Sequence, residues 1–111
     1  MKVCFDEIGA KSVTFECGED VGCGNVVKVI SYGEVSSCSA GDEFCGVAEV
    51  PFAGCVGVKV GGFVKCSYTG TKPDAGCTAL AANGDGGVCV TEGAKEYLVV
   101  DADDETVTFM M

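Results

Sequence analysis

The side chains best suited to chemistry in this sequence are its nine cysteines: Cys4, Cys17, Cys23, Cys38, Cys45, Cys55, Cys66, Cys77 and Cys89. Thiolates bind soft metals, attack electrophiles and form disulfides, and each use asks for a particular setting. Zinc ribbons, iron–sulfur sites and thioredoxin-like motifs need closely spaced cysteine pairs or added histidines. Here the nearest two, Cys17 and Cys23, are six positions apart, and the chain has no histidine. A tetrahedral site would have to be assembled from distant cysteines. Reduced cysteine also behaves as a small hydrophobe. Cys17, Cys66 and Cys89 fall in alternating strand patterns where valine or alanine would also fit. The expectation is mostly free thiols in a reducing compartment, with several disulfides as the alternative. The odd count leaves one cysteine unpaired within a monomer or bonded between chains.

Other candidate groups read more simply as structure. Asp101, Asp103, Asp104 and Glu105 are the densest carboxylates, and hard oxygen ligands in a turn can hold calcium. They lack the spacing of an EF-hand loop, so a solvated turn that blunts a sheet edge is the better reading. Gly84, Asp85, Gly86 and Gly87 resemble part of a phosphate-cradling loop, but Cys89 and Val90 continue as a strand where a helix would be needed. Ser36, Ser37 and Ser39 have no histidine to activate them, and no lysine is spaced for a recognisable Ser-Lys dyad. Paired carboxylates for glycoside hydrolysis would need a cleft with aromatic platforms, and the chain has three tyrosines and no tryptophan. No catalytic, cofactor-binding or metal residue is therefore assigned, and the chain is expected not to be an enzyme.

Composition narrows the partners. Seven lysines, no arginine and seventeen acidic residues give a formal net charge of −10. Nucleic-acid binding begins with a basic face, and an anionic membrane surface also selects for one, so neither is expected. No run of about 18 apolar residues is present to span a membrane. Asp6 and Glu7 fall where a signal peptide needs an apolar core. A complete chain would stay in the cytosol, or leave by lysis or a dedicated route.

The elements that must carry these residues are short strands. A chain of 111 residues favours one domain, and seventeen glycines argue against a long helix. In Gly41–Gly70, Val56, Val58 and Val60 alternate with Gly57, Lys59 and Gly61, and Val64, Cys66 and Tyr68 alternate with Lys65 and Ser67. That period of two marks strands with one buried face. Strand character recurs at Val3–Phe5, Val13–Cys17, Asn25–Ser31, Gly33–Ser36, Phe44–Val50, Cys77–Ala81, Val88–Thr91, Glu96–Asp101 and Thr106–Met110. Val107, Phe109 and Met111 share a face opposite Thr106 and Thr108. Asn83–Gly87, Thr71–Gly76 and Ala102–Glu105 carry turn chemistry. Thr78–Asn83 (TALAAN) is the one short helical candidate. The fold class is all-β, a small barrel or sandwich of short antiparallel strands over residues 24–111. Residues 1–23 have less core pattern and read as an arm or a strand pair. As an arm, Lys2–Gly24 would contact a neighbour.

Gly24–Phe109 resembles the small capsid decoration, or cement, proteins of tailed bacteriophages. The likeness rests on Gly41, Asp42, Phe44, Gly46, Val47 and Ala48, then on Val58, Val60, Gly62 and Val64. The close, Glu96-Tyr97-Leu98-Val99-Val100-Asp101 with Val107-Thr108-Phe109, is also similar. The resemblance implies a non-enzymatic virion protein on the outer capsid surface, with the major capsid protein as partner and a homotrimer as its assembled form. Nine cysteines depart from that family's pattern. The alternatives are another phage particle subunit, such as a tail or fibre component, or a cysteine-rich module held by disulfides or metal.

Overall fold

The structure, a computed structural model, describes residues 11–111. The readings at Val3–Phe5, Cys4 and the Asp6-Glu7 cluster lie outside the described residues, as does the first part of the Lys2–Gly24 segment. The all-β expectation holds: ten strands form, with no helix among the described residues. They are β1 (Lys11–Cys17), β2 (Val26–Ser31), β3 (Glu34–Ser37), β4 (Gly46–Ala48), β5 (Cys55–Gly61), β6 (Phe63–Ser67), β7 (Gly76–Ala82), β8 (Val88–Val90), β9 (Glu96–Ala102) and β10 (Thr106–Met110).

The first five close into a barrel in the order β1-β3-β2-β4-β5. Closure comes from a short parallel pairing, Glu16 with Glu34 and Cys17 with Val35, while every other pairing in the barrel is antiparallel. The last five form a second sheet in the order β6-β10-β9-β7-β8. An isolated parallel bridge from Tyr68 to Val88 draws its two ends together. The chain passes from β5 to β6 through Gly62, whose φ of 81° needs a residue without a Cβ.

Alternation explains how the two layers join. Val26 and Val27 are adjacent on β2, so they face opposite ways, and both are fully buried. Val27 belongs to the barrel interior with Val35, Val56 and Val58. Val26 belongs to the larger core shared with the second sheet, alongside Val47, Phe44 and Phe109. Where β2 pairs with β4, at Val26 and Val27, the barrel wall is thus covered on both sides, while Val29 and Ile30 further along β2 are exposed. At the joint, Phe44 stacks on Tyr97 with ring centroids 5.1 Å apart, and Phe109 meets Phe44 edge-on at 5.8 Å.

One sequence reading changes. Thr78–Asn83 is not a helix, and the strand expected at Cys77–Ala81 forms instead: Gly76–Ala82 is strand β7. Its first half pairs with β9 and its second half with β8, and this ladder overrides the helical preference of Ala-Leu-Ala-Ala. Thr108 is buried beside Val107 and Phe109, although it alternates with them along β10. A register irregularity falls between Thr108 and Phe109 in the pairing with β9.

Candidate protein-binding surface

The acidic turn is built as a turn. The Asp103 carboxylate accepts the backbone N–H groups of Glu105 at 2.9 Å and Thr106 at 2.8 Å, and closes the β9–β10 hairpin. Those bonds favour the ionised form and hold the Asp103 carboxyl down to about 2. A depressed carboxyl stabilises the fold above its ordinary value of 3.8 and loses that contribution as pH falls from there through about 2. Asp103→Ala is therefore expected to lower the melting temperature at pH 7. The gap to the unchanged protein should narrow as pH falls from 4 to 2, and melts at pH 7, 4 and 2 check it.

Asn83–Gly87 is likewise a turn. The Asn83 side-chain oxygen accepts from Asp85 N–H at 2.7 Å and from Gly87 N–H at 3.1 Å, with Gly84 and Gly86 at positive φ. Asp20 takes the Ser37 backbone N–H and hydroxyl, which lowers its pKa. Asp42 accepts from Lys28 Nζ at 2.6 Å and from Ser39 N–H at 2.9 Å, tying the Gly41-Asp42 step to β2. A recess of about 630 Å³ lies between barrel and second sheet and includes Lys59, Lys65 and Glu49 in its wall.

All eight described cysteines are free thiols, and the described residues gather no group of three or more Cys, Asp or Glu able to hold a metal. Cys66 is buried under the second sheet, and burial pushes its thiol up to about 12. Cys23, Cys55 and Cys77 are exposed. Iodoacetamide at pH 8 should alkylate those three in the folded protein, and Cys66 only in denaturant. Peptide mass mapping reads this directly. A Cys66 that reacts as fast as Cys55 would contradict the buried placement.

What sequence reasoning missed is a pair of aromatics. Tyr32 is fully exposed, at 107% of its reference area, and Phe52 is 83% exposed. Tyr32 sits in the two-residue β2–β3 turn, with Gly33 at a φ of 74°. Phe52 opens the β4–β5 turn, where Phe52 and Cys55 exchange both backbone hydrogen bonds around Ala53 and Gly54. Both central residues have positive φ, 53° and 78°, the arrangement of a type I′ hairpin. Ala53 is the one non-glycine described residue held there, a strained position that the pairing around it maintains. Successive amides of β1 bring the turns together. Glu16 N–H donates to the Gly33 carbonyl at 2.8 Å, and Cys17 N–H donates to the Gly54 carbonyl at 2.9 Å. One end of the barrel thus presents two outward rings on braced turns. A local signal was available, an aromatic beside a turn glycine, but nothing local put the two turns side by side.

These features define a small all-β protein, a closed barrel packed on a second sheet, with an exposed aromatic end. No protein-family model matches the chain, and no curated protein matches its sequence.

Proposed function

We propose that this chain is a non-enzymatic structural protein of a tailed-phage virion that binds the outer surface of the capsid and stabilises it. The major capsid protein is its partner, and it associates with itself as a homotrimer. The observation that carries the reading is the braced end with Tyr32 and Phe52 turned out to solvent. Large rings held outward on a rigid scaffold lose little entropy on docking, and aromatics anchor protein interfaces. The residues behind the sequence resemblance also sit where a rigid module needs them. Gly41 has a φ of 89°, Asp42 holds Lys28, and Phe44 and Val47 fill the joint between the layers.

The test is co-sedimentation of the purified protein with DNA-free heads and with tails of the phage that carries the gene. Binding to heads, with raised resistance of the heads to heat, supports the proposal. Binding to tails alone, or to neither, overturns it.

A further inference from the structure

Beside Phe52 the barrel end has a recess of about 440 Å³ whose wall includes Cys17, Glu19, Val21, Pro51 and Phe52. Val21 is only 5% exposed, so the floor is apolar and continuous with the barrel core. Next to it, Glu16 and Glu34 are direct partners in the parallel pairing of β1 and β3. Their side chains stand together on the outer wall, while Cys17 and Val35 turn inward. Like charges facing each other across strands destabilise a sheet. Glu34 accepts a hydrogen bond from the Ser31 hydroxyl at 2.9 Å, and among the described residues no lysine lies in the recess wall, the two turns or the cross-strand row of Cys55, Glu16, Glu34 and Ser31.

A recess with apolar side chains and one carboxylate, Glu19, in its wall, on a barrel end that also carries Glu16, Glu34 and the exposed Tyr32, suits one kind of guest. A lysine or arginine buries its aliphatic stem against apolar surface and keeps its charge for carboxylates or an aromatic face. A second copy of this chain would bring a net charge of −10 to an already acidic end. We infer that this end is the shell-facing surface, and that it receives a basic side chain flanked by apolar residues on the partner protein. The inference rests on the capsid reading above and names the contact within it.

The test measures binding of the full chain to DNA-free heads for three proteins: the unchanged chain, Tyr32→Ser/Phe52→Ser, and Glu16→Lys/Glu19→Lys. All these positions are exposed, so neither double variant should melt below the unchanged chain, and Glu16→Lys, which puts a cation opposite Glu34, should melt slightly above it; a binding loss is thereby separated from misfolding. Both double variants should bind about ten-fold more weakly or worse, the scale of losing a central anchor. Binding of the unchanged chain should weaken with salt. If the unchanged chain binds heads and either variant binds equally well, this inference falls while the capsid reading stands. If the unchanged chain binds no heads, both fall. Self-association in analytical ultracentrifugation that Tyr32→Ser/Phe52→Ser abolishes would show a second copy as the occupant and overturn the basic-partner assignment.

Discussion

Gly46→Ala is expected to destabilise the protein by about 3 kcal/mol, because the new methyl group would meet atoms that cannot retreat. A Cβ at this position would press on the Lys59 carbonyl oxygen and come within 2.7 Å of Val58 Cγ1. Lys59 lies in β5 between β4 and β1, paired to Val47 on one side and Ser12 on the other. Val58 is wholly buried in the barrel interior. Relief would require β4 to part from β5, opening the barrel wall that carries the joint to the second sheet. Gly57→Ala is the matched control. There the Cβ would meet the Glu49 carboxylate, the far end of a flexible side chain, and the cost should be well below that of Gly46→Ala. Thermal melts should place Gly46→Ala roughly 10–20 °C below the unchanged protein. A melt within about 2 °C would mean that β4 and β5 do not approach as described.

Phe109→Ala should cost about 3–5 kcal/mol, a large share of the 5–15 kcal/mol that usually holds a domain together. The ring is fully buried, 5.1 Å from Tyr97 and 5.8 Å from Phe44 between centroids. Removing it empties the contact between barrel and second sheet, and the strands on either side are held by backbone pairing and cannot collapse into the space. Tyr97→Phe tests the same cluster with the opposite sign. The Tyr97 hydroxyl is buried and has no hydrogen-bond partner among the described residues, and burial pushes its phenol up to about 12. Deleting that oxygen while keeping the ring should leave stability unchanged or raise it by about 1 kcal/mol. Urea titrations of both variants check the pair. A loss on Tyr97→Phe comparable to that on Phe109→Ala would show that the hydroxyl is satisfied after all.

Much of the secondary structure was legible in the chain because its signals are local. Val56, Val58, Val64 and Cys66 alternate with outward residues, and the strands follow that period of two. Asn83–Gly87 and Ala102–Glu105 turn because their own side chains and glycines make the turns. The Ala-Leu-Ala-Ala run in β7 carried both a strand and a helix reading, because the partners that decide for strand, β8 and β9, lie downstream and outweigh a weak intrinsic preference.

The sequence by itself determined an all-β chain, the places where it turns, the −10 charge and the absence of histidine and arginine. Tertiary structure alone decided that β1 closes a barrel against β3, that Val26 and Val27 serve different cores, and that Tyr32 and Phe52, twenty positions apart, share one end of the molecule. The physical reason is range. Alternation and turn chemistry act over a few residues, whereas strand order is chosen by backbone hydrogen bonds between distant segments, and any extended segment offers its neighbours the same donors and acceptors.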